Sequence, residues 1–354
     1  MFFMLAQLLY IYKGVGKIYP SGLTRKGGGH VSHLVYIPQD IEKEGKSYLV
    51  ERGYKIKVGS DLAQEILIEE IKDCDAVLTR STAVINKDVI QAAENLKVIA
   101  KYGVGLDNID IEAATERGIY VTNTPEANAN AVAEHVMALI LSLSKNLNLA
   151  DKELRSGNFA IRNQLFGMDL EGKTLGIIGL GRIGRILAKK ASKGFDMKVI
   201  GYDPYVTAGM DSELEIVTDL EWLFRNSDVI SLHLPLTKTT KGIIGSREFT
   251  WMKPSSYFVN ASRGGVVKES DLVNALQAGK IAGAGIDVFE VEPPDKWNPL
   301  FKLDNVIVSP HNAALTKEGS IRMAVHAAMQ VEQVLTGVKP NWAVNEPLTK
   351  GVSM

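Results

Sequence analysis

The sequence predicts an α/β protein with two doubly wound domains, each built on a parallel sheet. The chain has 354 residues, about twice the usual size of one domain. From Leu34 onward, short apolar runs alternate with amphipathic stretches of helical length, a pattern typical of a parallel sheet covered by helices on both faces. A second series of the same kind begins at Thr174, after the polar stretch LEGK.

Composition and charge exclude several classes of protein. Hydrophobic residues make up 45% and charged residues 23% of the chain, as in ordinary globular proteins. Forty Lys and Arg against 41 Asp and Glu give a formal net charge of -1, so no excess charge favours nucleic acid or an anionic membrane. No apolar run reaches the roughly 18 residues that a membrane span requires. The single cysteine, Cys74, fits a cytoplasmic protein without disulfides, and we interpret it as a buried apolar residue.

The first series predicts five short strands separated by helices. One of these helices covers residues 61–73 and begins at Asp61, whose carboxylate is a suitable N-cap. The predicted strands are LVYIP (34–38), YKIKVG (54–59), AVLT (76–79), KVIA (97–100) and IYVT (119–122).

Residues 1–33 do not fit this pattern. They begin with an apolar run that has neither a positively charged segment before it nor a cleavage site after it. A Gly- and Lys-rich stretch without apolar periodicity follows. We expect residues 1–33 to form an extension outside the main fold, in which His30 and His33 are solvated; no metal site is predicted.

The stretch between the two series predicts a helix over residues 130–146 that is apolar on most of its circumference. Such a helix is buried in a domain or at an interface between domains or subunits. The second series then predicts six strands and ends in a helix at residues 316–335. The strands are TLGIIG (174–179), MKVIGYD (197–203), DVISLHL (228–234), SYFVNAS (256–262), GAGIDVF (283–289) and NVIVSP (305–310).

A dinucleotide-binding motif follows the first strand of the second series. In GLGRIG, Gly179 allows a tight turn, Gly181 lets a pyrophosphate approach the backbone, and Gly184 permits close packing of helix on strand. Asp203 lies 22 residues after Gly181, at the end of the next strand. A carboxylate there accepts hydrogen bonds from ribose hydroxyls and repels a 2′-phosphate, so the sequence predicts NAD rather than NADP.

Polar residues follow three further strands of this series, at the strand ends where open α/β sheets bind ligands. They are Arg263, the pair Asp287 and Glu292, and His311. With them the sequence resembles the D-2-hydroxyacid dehydrogenase family, which includes D-3-phosphoglycerate dehydrogenase and hydroxypyruvate reductase. The resemblance covers residues 34–345 and rests on YGVGLDNID (102–110), GLGRIG (179–184), YDP (202–204), HLPLT (233–237), NASRGG (260–265), GIDVFEVEP (285–293) and SPH (309–311).

The resemblance implies a Rossmann NAD domain at residues 131–316, inserted into a discontinuous, flavodoxin-like substrate domain made of residues 34–130 and 317–354. It also implies a homodimer, with the apolar helix at 130–146 as a dimer element. The chain ends soon after its last helix, so the C-terminal regulatory domain of some phosphoglycerate dehydrogenases is not expected.

The resemblance implies Arg263, Glu292 and His311 as catalytic residues, and chemistry gives each a role. Reduction of a keto acid places negative charge on the carbonyl oxygen, which calls for a proton donor such as histidine. Glu292 would fix the imidazole tautomer, and the planar fork of Arg263 suits a carboxylate. Taken singly, each is explained equally well by a salt bridge or by packing; their shared position at strand ends favours catalysis.

The family's cofactor residues map onto one set of positions. These are Val104, Gly179, Gly181, Arg182, Ile183, Gly184, Asp203, Leu234, Ala261, Ser262, Asp287 and Ala313. We interpret the remaining histidines of the main fold as structural: His135, His233 and His326.

The residues predicted to bind the substrate bear on whether the substrate carries a phosphate. The resemblance implies that the backbone of Val104 and Gly105 meets the substrate carboxylate, near Arg263 and His311. Arg80 resembles the arginine near the substrate phosphate in phosphoglycerate dehydrogenases, but Ala83 and Val84 replace the family lysine, and a surface arginine explains Arg80 equally well.

The expected function is NAD-dependent interconversion of a D-2-hydroxy acid and its 2-keto acid, with 3-phosphoglycerate as the first candidate substrate. Glyoxylate or hydroxypyruvate reduction is the alternative. An NAD-sensing protein, like the C-terminal-binding corepressors, is the alternative from another class.

Overall fold

The computed structural model describes residues 33–207 and 214–348, which form two compact units. The first unit comprises the residues before 128 and after 316, and the second comprises residues 128–316. The extension proposed for residues 1–33 lies, apart from His33, outside the described residues. The prediction that His33 is solvated is wrong: its side chain is only 12% exposed, and its Nδ1 lies 2.9 Å from Oδ1 of Asp75. Among the described residues, no helix combines the length and apolar character needed to cross a bilayer.

The first unit contains a five-stranded, wholly parallel sheet in the order β2-β1-β3-β4-β5. The strands are β1 (Leu34–Ile37), β2 (Lys55–Val58), β3 (Ala76–Thr79), β4 (Val98–Lys101) and β5 (Tyr120–Thr122). The intervening helices are α1 (Lys43–Val50), α2 (Gln64–Ile71), α3 (Lys87–Ala92) and α4 (Ile111–Glu116). Both β3 and β4 are buried throughout, as central strands covered on two faces must be. Cys74 is buried in this core.

The N-terminus of α2 differs from the prediction. This helix begins at Gln64, and no side chain caps it. Asp61 instead accepts a hydrogen bond from the N–H of Ala63 at 2.8 Å, which forms a turn before the helix.

The second unit contains a seven-stranded parallel sheet in the order β12-β11-β10-β9-β6-β7-β8. Its strands are β6 (Thr174–Ile178), β7 (Lys198–Tyr202), β8 (Glu215–Ile216), β9 (Val229–Leu232), β10 (Tyr257–Asn260), β11 (Gly283–Ile286) and β12 (Val306–Val308). Its helices are α5 (Ala129–Ser144), α6 (Leu147–Arg155), α7 (Arg182–Phe195), α8 (Leu220–Asn226), α9 (Ser246–Trp251) and α10 (Glu269–Gln277). Two parallel α/β sheets confirm the predicted fold class. The helix predicted over 130–146 ends at Ser144, because Asn146 adopts a left-handed conformation and α6 then begins.

The chain returns to the first unit through α11 (Lys317–Leu335), which packs against α1. After α11, residues near the C-terminus pair antiparallel with β5, at Thr122 and Ala343. The side chain of Asn345 accepts the N–H of Val121 at 2.7 Å, so this segment covers the edge of the sheet.

The strand order of the second unit reverses between β6 and β9. At such a point the connections leave the sheet in opposite directions and open a crevice at the carboxyl ends of the strands. Gly179 follows β6 and His233 follows β9, so the glycine motif lies at this reversal.

Asp228 ties the amino ends of three strands in this sheet together. Its carboxylate accepts the N–H of Thr174 at 2.9 Å and the ammonium group of Lys253 at 2.8 Å. Its carbonyl oxygen accepts the N–H of Tyr257. Burial alone would raise the pKa of Asp228, but the hydrogen bonds from Lys253 and Thr174 outweigh burial and hold the pKa below its usual value.

The lowered pKa of Asp228 predicts a loss of stability in acid. A carboxyl group whose pKa is lower in the folded state stabilises the fold above its unfolded pKa of about 4, and that contribution is lost as the pH falls through the folded value. We expect Asp228→Asn to lower the free energy of unfolding at pH 7 by about 1–2 kcal/mol and to flatten its decline between about pH 5 and pH 3. Urea unfolding at several pH values measures both effects.

Asp169→Asn is the matched control, because Asp169 pairs with Lys145 at the surface and should matter much less. An Asp228→Asn variant with full stability at pH 7 would contradict the role given to this carboxylate.

Candidate functional site

The glycine turn after β6 has the geometry that a dinucleotide requires. Gly179 has a φ of +97°, and a Cβ there would lie 2.5 Å from the carbonyl oxygen of His233. A Cβ on Gly184 would lie 2.3 Å from the carbonyl oxygen of Gly179, so helix and strand are in close contact. Gly181 is the N-cap residue of α7, which has no side-chain cap, and a Cβ on Gly181 would meet nothing within 4 Å. The helix N-terminus is therefore open to an anion, and a pyrophosphate fits.

Asp203 holds this turn in place. Its carboxylate accepts the N–H of Leu180 at 2.9 Å and the N–H of Tyr205 at 2.9 Å. The carboxylate is partly exposed and retains acceptor capacity, as hydrogen bonding to a ribose requires. Asp203 thus connects the glycine turn to the end of β7, a structural role that the sequence did not suggest.

His233 and Leu234 form the wall next to the glycine turn. The imidazole Nε2 of His233 lies 3.0 Å from Oγ of Ser231, and burial lowers the pKa of His233 to about 4. His233 is therefore neutral at pH 7. Leu234 packs on the core of the second unit, with Cδ2 3.3 Å from where a Cβ on Gly179 would lie.

His311 and Glu292 form a hydrogen-bonded pair beyond the carboxyl ends of the strands of the same sheet. Nδ1 of His311 lies 2.7 Å from Oε2 of Glu292, whose other oxygen accepts the N–H of Phe289 at 3.0 Å. Burial alone would raise the pKa of Glu292. The hydrogen bonds from His311 and Phe289 and the charge of Arg263 outweigh burial and keep the pKa below its usual value. Glu292 is therefore an anion at neutral pH that fixes Nδ1 as the protonated ring nitrogen and leaves Nε2 for chemistry.

Arg263 is held by the loop that follows β10. The side chain of Asn260 accepts the N–H and the hydroxyl of Ser262 and donates to the carbonyl oxygen of Arg263 at 3.0 Å. A Cβ on Gly264 would lie 1.8 Å from the carbonyl oxygen of Phe289. The loop of Arg263 and the loop of Glu292 therefore pack backbone to backbone, and only glycine fits at this contact.

Asp287 organises the loop that carries His311. Its carboxylate accepts the N–H groups of Asn312 and Ala313, each at 3.0 Å, and its carbonyl oxygen accepts the N–H of His311 at 2.7 Å. His311 has a φ of +50°, in the left-handed region, which costs a residue with a side chain about 1–2 kcal/mol. Such a conformation persists only where its surroundings impose it.

Val104 and Gly105 lie in the first unit, in the loop after β4. Gly103 has a φ of +119°, and it exchanges hydrogen bonds with Thr124 across the loop. The N–H groups of Val104 and Gly105 have no acceptor among the described residues. Two adjacent backbone donors of this kind suit a carboxylate.

Arg80 lies after β3 in the same unit. Its guanidinium group donates to the carbonyl oxygen of Asp40 at 3.2 Å and lies over the ring of Tyr102, 5.1 Å from the centroid. Ala83 is buried, and Val84 is exposed at the position of the family lysine. Arg80 is therefore the cation that this loop offers, and its orientation is set by Asp40 and Tyr102.

The sequence did not indicate the roles of some residues at the site. Asn260 and Ser309 lie inside motifs that the sequence singled out, but their side-chain contacts could not be foreseen. His135, interpreted as structural, lies against this site: its Nε2 is 2.9 Å from Oγ of Ser309. The other cofactor positions occupy the first turn of α7 (Arg182, Ile183) and the loop after β10 (Ala261). No cluster of three candidate metal ligands occurs among the described residues.

Comparisons with known proteins all indicate the same family. Residues 137–313 match the family described as D-isomer specific 2-hydroxyacid dehydrogenase, NAD binding domain. Two curated relatives illustrate the range of names. D-3-phosphoglycerate dehydrogenase of Archaeoglobus fulgidus is 41% identical over 88% of this chain and 59% of its own length. Glyoxylate reductase of Thermococcus litoralis is 42% identical over 89% of this chain and 98% of its own length.

Solved structures agree with the sequence comparison. A glyoxylate reductase from Paecilomyes thermophila superimposes with a TM-score of 0.81 at 29% identity, covering 90% of this chain and 99% of that protein. The chain thus spans nearly all of the reductases but only 59% of the length of the archaeal phosphoglycerate dehydrogenases.

Proposed function

The chain belongs to the D-isomer specific 2-hydroxyacid dehydrogenase family, and we propose on that basis that it is an NAD-dependent oxidoreductase interconverting a D-2-hydroxy acid and its 2-keto acid. One observation carries the proposal: His311 is paired with Glu292 at 2.7 Å, in the unit that also holds the glycine turn. A histidine ordered by a carboxylate is what proton transfer to a carbonyl oxygen needs.

His311 acts as the acid in the reductive direction. With Nδ1 held by Glu292, Nε2 carries the proton that is given to the carbonyl oxygen of the keto acid. Glu292 stays ionised and stabilises the imidazolium form before transfer. In the oxidative direction the same nitrogen accepts the hydroxyl proton.

Arg263 supplies positive charge where negative charge develops. One guanidinium nitrogen donates to the carbonyl oxygen of Ser262 at 2.7 Å, which anchors the side chain in its loop. Its fork suits the carboxylate and carbonyl oxygens of a 2-keto acid, and fixed charge at such a position stabilises the transition state.

The second unit provides the cofactor residues. NADH, when bound, supplies the hydride that reduces the carbonyl carbon. The open N-terminus of α7 at Gly181 receives the pyrophosphate, and Asp203 favours a ribose over a 2′-phosphate. Leu234, Ala261, Ser262, Asp287 and Ala313 complete the proposed cofactor contacts.

We propose 3-phosphoglycerate and its keto acid as the first candidate substrate pair. Arg80 supports it as a cation in a loop of the first unit, the unit that also holds the N–H donors of Val104 and Gly105. In addition, two archaeal relatives at 41% and 43% identity are named D-3-phosphoglycerate dehydrogenases. Two findings favour the alternative, a glyoxylate or hydroxypyruvate reductase. The family lysine is absent, and relatives with these names match over nearly their whole length.

We further propose that the protein is a cytoplasmic homodimer. The helix predicted as the dimer element, α5, packs into the core of the second unit, so the residues that follow it are the better candidate for the interface. Helix α6 has no buried residue, and it presents Leu147 and Leu154 to solvent. Phe159 and Phe166 follow it and are also exposed, Phe166 by 83%. Four large apolar side chains exposed within residues 147–166 suit contact with a second copy of the chain.

The first prediction about function tests whether His311 is the proton donor. We expect His311→Ala and Glu292→Gln to lower kcat for keto-acid reduction by roughly 10²–10⁴-fold while NADH affinity changes little, since the residues act on the proton. Steady-state kinetics with a panel of 2-keto acids measures this.

A near-normal kcat for His311→Ala would refute the assignment. If the wild-type protein binds NADH but reduces no keto acid in the panel, the NAD-sensing alternative becomes the better explanation.

The second prediction separates the two substrate types. If the substrate carries a phosphate, Arg80→Ala should cost about 1.5–3 kcal/mol, which lowers kcat/KM for 3-phosphohydroxypyruvate by about ten- to a hundredfold. Glyoxylate kinetics should hardly change. Arg52→Ala removes another cation of the first unit, one that pairs with Glu332, and should affect neither substrate. Unchanged phosphohydroxypyruvate kinetics in Arg80→Ala would favour a short unphosphorylated keto acid.

The third prediction concerns the dimer. Light scattering should give about twice the chain mass of 38.6 kDa for the wild type, and Leu154→Glu should raise the dissociation constant by at least about tenfold by placing a charge in the interface. Val58→Glu alters an exposed apolar residue of β2 and should leave the mass unchanged. A monomeric wild type would contradict the proposal.

A further inference from the structure

A chain of hydrogen bonds runs from α5 to the loop of His311. Nε2 of His135 lies 2.9 Å from Oγ of Ser309, and Ser309 donates its hydroxyl to Oδ1 of Asp287 at 2.5 Å. All three residues belong to the second unit. This series of hydrogen bonds ends at the carboxylate of Asp287, which also accepts the N–H groups of Asn312 and Ala313.

The proton positions in this chain follow from the partners. A serine hydroxyl has one proton, and that of Ser309 is directed to Asp287. The oxygen of Ser309 can therefore only accept from His135, whose Nε2 must carry a proton. His135 is thus a donor in this arrangement, in either its neutral or its charged form.

Asp287 needs these donors because it is buried. Its side chain is 1% exposed, and a carboxylate removed from water requires hydrogen bonds or a countercharge. Among the described residues, His135 provides the one basic side-chain nitrogen within 4 Å of the carboxylate, 3.6 Å from Oδ1. Without His135, the carboxylate would keep only Ser309 and two backbone donors.

Asp287 in turn imposes the backbone conformation of the proposed acid. Its carboxylate accepts the N–H groups of Asn312 and Ala313, and its backbone carbonyl oxygen accepts the N–H of His311. This convergence holds His311 at a φ of +50° and so sets the direction in which its ring meets Glu292.

We propose that His135 and Ser309 are positioning residues: they hold the carboxylate of Asp287 and, through it, the left-handed backbone of His311. The catalytic part of this inference rests on the proposed function, because His311 is the acid only if the protein reduces a keto acid. The structural part, order in residues 309–313, stands independently of turnover.

Two substitutions at His135 separate hydrogen bonding from packing. His135→Leu keeps a side chain that can fill the space but removes the hydrogen-bond donor. His135→Gln keeps an N–H donor at a similar distance. We expect kcat to fall by about tenfold to a hundredfold in His135→Leu with KM little changed, and by no more than about threefold in His135→Gln. Glu134→Gln, on the exposed side of the same helix, is the matched control and should behave as wild type.

Hydrogen exchange supplies the readout that needs no substrate. Mass spectrometry of peptides covering residues 309–313 should show amide exchange faster by about tenfold in His135→Leu, and wild-type exchange in His135→Gln and Glu134→Gln. Ser309→Ala should resemble His135→Leu.

The outcomes are distinct. Wild-type kcat and exchange in His135→Leu would overturn the proposal, and equal impairment of the Leu and Gln variants would show that ring volume matters instead of the hydrogen bond. If the wild type reduces no keto acid but the exchange pattern appears as expected, the proposed function fails and the positioning role stands.

Discussion

In a parallel sheet all strands run in one direction, so the residues that follow them meet at a single edge. Every candidate residue of the second unit depends on this constraint. Gly179 follows β6, Asp203 follows β7, Arg263 and Asp287 follow β10 and β11, and His311 follows β12. Segments separated by more than a hundred positions in the chain are thereby brought together without any loop having to be long. Loops anchored at both ends by strands or helices can hold a strained residue such as His311.

The two carboxylates at this edge, Glu292 and Asp287, show how environment divides roles between like groups. Glu292 is partly exposed and paired with His311, and the positive charge of Arg263 lies close enough to favour its ionised form. Asp287 is enclosed and is satisfied mainly by N–H and hydroxyl donors. The first carboxylate can therefore respond to the charge of the imidazole ring, whereas the second acts as a fixed centre around which a loop is wrapped.

Much of this arrangement was predictable from the sequence, since strand and glycine patterns are local signals. The strand cores and the glycine turn lie where their residue patterns indicate. The two-residue strand β8 was missed because two positions carry no periodicity. The turn at Asp61, the clamp of Asp203 on Leu180 and the contact between His135 and Ser309 depend on side-chain geometry. That last contact joins residues 174 positions apart, so no local pattern signals it.

The antiparallel segment at the end of the chain has a consequence for synthesis on the ribosome. Val121 of β5 donates to Asn345, a residue 224 positions downstream, and the whole second unit is encoded between them. At about 5–20 residues per second, roughly 10–45 seconds separate the emergence of the two partners. For most of that interval the nascent first unit lacks α11, and for all of it the unit lacks the cover of its sheet edge, whereas residues 128–316 are complete before Asn345 emerges. The inserted unit is therefore able to fold first, and the unit that begins the chain is the last to be finished.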